Sequence, residues 1–112
     1  MKNKTHDFAY HLTKFFTEYL PIQRNLSSNT ISTYRYTFRL LLTFFDTQKH
    51  VKPNQLDLDM LARNNIEEFI RWLQEERACS ASTCNQRLGA LKSFFKYLQF
   101  AMPDRALQCQ EN

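Results

Sequence analysis

The sequence predicts an all-α protein, a compact four-helix bundle, and three observations carry that reading. Apolar residues recur at helical spacing in four separate stretches. Only one glycine, Gly89, and three prolines, Pro21, Pro53 and Pro103, interrupt the 112 residues, whereas a sheet protein needs many turns with special backbone angles. With 43% hydrophobic and 14% aromatic residues the chain has material for a real core, and its length fits one domain rather than a binding domain plus a separate catalytic one. The expected domain covers residues 1–107, leaving 108–112 as a tail or the start of a linker.

The first helix is expected over about residues 6–20. Phe8, Leu12, Phe15, Phe16 and Tyr19 fall on one stripe, and Pro21 is expected to end it. The second runs over about 29–46. Side-chain oxygens of Ser27, Ser28 and Asn29 can cap its start, and Ile31, Tyr34, Phe38, Leu41, Leu42 and Phe45 point inward. Residues 46–55 read as a polar connection, after which Leu56, Leu58 and Met60 alternate with acids as a brief extended piece. Asn65 followed by Glu68 resembles a capping pair, and Ile66, Phe69, Ile70 and Leu73 continue a short helix through Glu76. Ser80 or Ser82 can cap the last helix, whose seam is Cys84, Leu88, Leu91, Phe95 and Leu98 up to Phe100, with Pro103 marking its end. The aromatic seams read as core rather than as a cofactor site.

Several classes of function drop out. No apolar run approaches the roughly 18 residues of a membrane span, and Met1 to Thr5 lack the apolar stretch of a signal peptide, so a soluble, intracellular protein is expected. Cys79, Cys84 and Cys109 are an odd number without metal-ligand spacing and read as structural or incidental thiols. His6 and His11 are five apart, off the spacing that puts two ligands on one helical face, and read as solvent-exposed. No metal and no cofactor is expected, and no small-molecule substrate or membrane partner.

Charge is segregated along the chain. Residues 24–39 carry Arg24, Arg35 and Arg39 with no acid, and residues 77–100 carry Arg77, Arg87, Lys92 and Lys96 with no acid. Residues 57–76 hold Asp57, Asp59, Glu67, Glu68, Glu75 and Glu76 against Arg63 and Arg71. The net +4 and a pI near 9.1 therefore understate two basic helices. At 100° per residue the second helix turns Asn29, Thr33 and Tyr36 outward, flanked by Ser28, Ser32, Arg35 and Arg39. The last turns Ser82, Gln86, Gly89 and Ser93 outward, flanked by Arg87, Asn85, Lys92 and Lys96. Hydroxyls and amides let a nucleic-acid backbone approach closely, cations supply attraction, and helix amino ends favour phosphate. A partner helix against Gly89, Ala90 and Ser93 is the alternative on these residues alone.

The run from Asn25 to Arg35 (NLSSNTISTYR), then Ile66 to Leu73, then Ser82 to Leu98 (STCNQRLGALKSFFKYL), resembles the N-terminal core-binding domain of tyrosine recombinases, the phage-integrase family of site-specific recombinases. The resemblance covers about residues 8–104 and includes the family's order of an initial helix, a Thr-x-x-x-Tyr helix, a short helix and an Arg-Leu-x-x-Leu helix. It implies a SAM-like helical bundle that clamps one face of a recombination site for DNA integration or recombination, with double-stranded DNA and other recombinase protomers as partners. By position it implies DNA contacts from Asn29, Thr30, Thr33 and Arg35 on the second helix, and from Ser82, Thr83, Gln86 and Arg87 on the last, with Lys92 and Lys96 adding backbone contacts.

The family's strand exchange needs a nucleophilic tyrosine with arginines and a histidine or lysine around the phosphate. Tyr10, Tyr19, Tyr34, Tyr36 and Tyr97 all fall on expected bundle helices, and no His-x-x-Arg spacing exists. The chain reads as a non-catalytic part, with no enzyme activity of its own. A helical protein–protein interaction module mediating protomer contacts is the alternative, and a helix-turn-helix repressor fits less well because the second and third helices are too far apart. An excised fragment and a stand-alone descendant read alike.

Overall fold

The computed structural model describes residues 4–102, with side chains from Asp7 onward. Pro103, Cys109 and the expected tail 108–112 lie outside the described residues, as does the side chain of His6. Four helices carry the fold and no strand occurs among the described residues, as the sequence predicts. Helix α1 spans Lys4–Lys14 and continues as π-helical turns over Phe15–Gln23; α2 is Ser28–Gln48, α3 Arg63–Glu76 and α4 Ala81–Ala101.

The chain divides into two compact units after Leu58. In the first, Phe8, Phe15, Tyr19, Leu20, Phe38, Leu41 and Phe45 are buried, and the rings of Phe15 and Phe16 meet Phe38 edge-on with centroids 6.0 and 5.8 Å away. In the second, Ile66, Phe69 and Leu73 of α3 and Cys84, Leu91, Phe94 and Leu98 of α4 are buried. Ile31, Tyr34, Leu42, Leu88 and Phe95, also expected inward, are only half-buried.

Pro21 does not end the first helix. In an α-helix its ring would press on the carbonyl of Thr17 and it has no N–H to give. The coil instead widens into π turns, in which N–H groups reach five residues back, and Arg24 N–H closes the last of them on the carbonyl of Tyr19 at 2.8 Å. The expected extended piece at 56–60 is also replaced by 3₁₀ turns, at Pro53–Gln55 and Leu58–Met60. Leu56 and Leu58 are both buried, so the alternation there follows burial on tight turns rather than a pleat. Helix α3 begins two residues ahead of the expected cap, with Ala62 preceding it and no capping side chain. Asn65 lies inside the first turn, and its Nδ2 donates back to the carbonyl of Met60 at 2.8 Å.

The first three helices end alike. Asn25, His50 and Ala78 take left-handed backbone angles, with φ of 52°, 58° and 53°. Beyond each, Leu26, Val51 and Cys79 donate their N–H groups to the carbonyls of Leu20, Phe45 and Leu73, at 3.0, 2.9 and 3.0 Å. Each is a six-residue wrap that satisfies a terminal carbonyl and brings an apolar residue back toward the last turn. The scarcity of glycine is thus compatible with three tight stops, because Asn, His and Ala occupy positions that glycine fills most easily.

Candidate nucleic-acid interface

Helices α2 and α4 start the same way. Ser27 Oγ accepts from the N–H of Thr30 at 3.2 Å and donates to its Oγ1 at 3.1 Å; Ser80 makes the same two bonds to Thr83 at the same distances. Ser27 and Ser80, rather than Ser28, Asn29 or Ser82, are therefore the caps. A capped start holds the first turn in place, leaves the N–H groups of its leading residues without an intrahelical acceptor, and adds the positive end of the helix dipole. Both starts are free of acids in the first turn.

The outward surface of each helix follows from this phase. On α2, Asn29, Thr33 and Tyr36 are exposed, and so are Ser28, Ser32, Arg35 and Arg39. Thr33 Oγ1 donates to the carbonyl of Asn29 at 3.0 Å, which leaves its lone pairs facing out as acceptors. Thr30 is half-buried, held by its cap. Arg35 folds its guanidinium over the ring of Phe16, 5.1 Å from the centroid, so its long stem is fixed while its edge stays at the surface. On α4, Ser82, Asn85, Gln86, Lys92 and Lys96 are exposed, while Thr83, Arg87, Gly89 and Ser93 are half-buried. A Cβ built on Gly89 would meet nothing within 4 Å, so no internal contact requires glycine there.

The candidate residues thus form two sets. Asn29, Thr30, Thr33 and Arg35 share the leading turns of α2 in the first unit. Ser82, Thr83, Gln86 and Arg87 share those of α4 in the second, with Lys92 and Lys96 one and two turns further on. Two cations counted with these helices in the sequence sit elsewhere. Arg24 lies just past the π turns, 6.0 Å from the Tyr19 ring, and Arg77 is the residue that closes α3, 5.2 Å over the ring of Trp72. The basic character of α2 before Asp46 is therefore Arg35 and Arg39, and that of α4 is Arg87, Lys92 and Lys96.

The remaining candidates behave as follows. Tyr19 and Tyr97 are buried, Tyr34 is half-buried, and Tyr10 and Tyr36 are exposed, all on helices as expected. His11 is buried, not exposed: it lies one turn after Asp7, also buried, on the core side of α1. Cys79 is half-buried and Cys84 buried, both as free thiols. Burial, with a smaller contribution from nearby Cys79, pushes the Cys84 thiol above its ordinary value. Among the described residues no cluster of His, Cys, Asp and Glu is placed to hold a metal ion, and no helix is long and apolar enough to cross a membrane.

Two capped basic helices in an all-helical chain match one family model, that of the phage integrase N-terminal SAM-like domain, over residues 13–100. The chain belongs to this family. It is the N-terminal, SAM-like kind of domain found in tyrosine recombinases. It is 36% identical over 99 residues to a protein of Sinorhizobium fredii that bears the provisional name integrase/recombinase y4rC, covering 88% of this chain and 30% of that protein. It is 34% identical over 84 residues to tyrosine recombinase XerC of Herpetosiphon aurantiacus, covering 75% of this chain and 26% of that one. With tyrosine recombinase XerD of Listeria monocytogenes the identity is 32% over 88 residues, 78% of this chain and 28% of the other. The integrase-family chain therefore spans about 30% of the length of the curated relatives it matches. No solved structure matches it.

Proposed function

We propose that this chain is the core-binding, DNA-binding part of a site-specific tyrosine recombinase, with residues 1–107 as the binding domain and 108–112 as a tail or the start of a linker. The observation that carries the reading is the pair of identically capped helices, each acid-free along its leading turns and each presenting hydroxyl, amide and cationic side chains. In this reading Asn29, Thr30, Thr33 and Arg35 on α2, and Ser82, Thr83, Gln86, Arg87, Lys92 and Lys96 on α4, face duplex DNA. Thr30 and Thr83 act mainly by holding the two leading turns in shape, since their hydroxyls are engaged with the caps. The strand-exchange chemistry belongs to residues outside this chain, and the protein works in the cytoplasm on the nucleoid, alongside other protomers.

Phosphate contacts release counterions, so affinity falls with salt; about six such contacts give a log–log slope near −5. A fluorescence titration of a labelled duplex between about 50 and 200 mM salt measures it. A flat response sinks the reading. The exposed side chains Arg35, Lys92 and Lys96 are suitable alanine targets, because losing them removes charge without opening the core.

A second reading has its own supporting observation. The open space above Gly89 suits a helix of a neighbouring protomer as well as a DNA backbone, and such a contact accompanies DNA binding rather than replacing it. Salt-insensitive self-association in sedimentation, without affinity for the duplex, would favour it over the first.

A further inference from the structure

A groove of about 360 Å³ opens between α1 and α2 in the first unit. Its lining comes in pairs one helical turn apart. Leu12 with Phe16, and Phe38 with Leu42, form an apolar floor. One edge carries Thr13 and Thr17, whose hydroxyls donate to the carbonyls of Ala9 and Thr13 at 2.9 and 2.8 Å and so are already engaged. The other edge is Arg35 and Arg39, both exposed. No carboxylate lines the groove, and neither guanidinium takes part in an ion pair among the described residues.

We infer that this groove receives an acidic amphipathic helix of a partner protein, with two apolar side chains one turn apart on the floor and two carboxylates one turn apart against Arg35 and Arg39. Charge and floor together set the class of partner: the rim's exposed cations, which form no ion pair among the described residues, call for a pair of anions, and the apolar floor beside them suits apolar side chains rather than a sugar–phosphate backbone. The repeat decides its form. Residues four apart on a helix stand about 5–6 Å apart, so a partner helix repeats its side chains at the interval at which both rim and floor repeat here. The volume lies at the low end of the roughly 300–1,000 Å³ of ligand pockets, room for the side chains of a turn or two and not for a broad interface. Stacking on Phe16 holds the Arg35 guanidinium in advance, which lowers the ordering cost of a bidentate bond to a carboxylate.

One consequence rests on the proposed function: Arg35 is also a candidate phosphate contact, so the acidic helix and the duplex compete. A partner of this kind would loosen the α2 side of the clamp from DNA.

The test uses the full chain and a fluorescein-labelled synthetic helix of about four turns, carrying a leucine pair and a glutamate pair at one-turn spacing. Anisotropy should show saturable binding, weakened roughly ten-fold or more by the double change Arg35→Gln and Arg39→Gln, and as much by replacing the peptide's glutamates with glutamine, the scale of one charge-assisted contact. Both arginines are exposed, and circular dichroism checks that the variant folds. Amide shifts in the unaltered chain should cluster at Leu12, Phe16, Phe38 and Leu42. Absence of binding at millimolar peptide, equal affinity for the glutamine peptide, or shifts elsewhere overturns the inference. So does a concentration-dependent dimer abolished by the same double variant, which assigns the groove to a second copy. Peptide binding that the duplex does not displace keeps the groove and removes Arg35 from the DNA face; duplex binding without peptide binding does the reverse.

Discussion

Ala78 sits in a left-handed conformation that costs a residue with a Cβ about 1–2 kcal/mol, for no contact that glycine would lose, since its side chain is a single exposed methyl. Ala78→Gly should therefore stabilise the chain by about 1 kcal/mol despite the greater freedom glycine has when unfolded, and raise the melting temperature by a few degrees. Asn25 tolerates the same angle better, because a short polar side chain can bond locally, so Asn25→Gly should change less. The thiols offer a second test at this scale. Cys84 is buried and its pKa raised, chiefly by that burial, so it stays protonated and shielded where half-buried Cys79 reacts. Alkylation near pH 8 followed by peptide mapping should label Cys79 well before Cys84. The sign for stability follows: below the ordinary thiol pKa, about 8.5, both states are neutral, and above it the unfolded chain ionises more readily than the folded one, so stability falls as pH rises. Neither the strained turn nor the burial of His11 is read from the sequence, although the apolar stripe of α1 is. A left-handed Ala has no side-chain signature, and His11, three residues after Phe8 and four before Phe15, lies at the edge of the apolar stripe, where a polar side chain reads as surface.

At the scale of elements, helical periodicity identifies all four helices, because large apolar residues spaced three and four apart line up on one face only when the chain is coiled as a helix. Their ends are harder to place. Capping side chains mark the starts of α2 and α4, although the choice of Ser27 among Ser27, Ser28 and Asn29, and of Ser80 over Ser82, comes only with the bonds to Thr30 and Thr83; the rule that stops a helix at Pro21 holds for α-helices, and the chain escapes it by changing coil. Asn65 has the chemistry of a cap, although its amide instead ties the first turn of α3 to Met60 from within. Helix α4 carries the sharpest prediction of this scale. Glycine inside a helix costs roughly 0.5–1 kcal/mol relative to alanine, and the space above Gly89 is open. Gly89→Ala should raise stability by about that amount in a urea melt while weakening duplex binding, because the added methyl keeps DNA from the helix backbone. If the melt and the titration improve together, the face of α4 around Gly89 does not approach DNA.

For the whole molecule, the two candidate sets lie in different compact units, and nothing in the sequence orders them in space. What the sequence does carry is their likeness: two basic helices, α2 without an acid before Asp46 and α4 without one throughout, with Arg35 and Arg39 on one and Arg87, Lys92 and Lys96 on the other. It overcounts, since Arg24 and Arg77 lie outside α2 and α4, just past the π turns and at the end of α3. If the units grip one duplex together, charge removed from either should lower the salt slope by about 0.9 per phosphate contact, whichever unit it comes from. Arg35→Ala should then reduce the slope by about 1, the pair Lys92→Ala and Lys96→Ala by about 2, and the triple variant by about 3, with the logarithms of affinity adding. Arg24→Ala and Arg77→Ala should leave the slope nearly unchanged. A triple variant no weaker than the double one would mean that Arg35 makes no contact with the duplex, and the grip would have to be assigned to α4 alone.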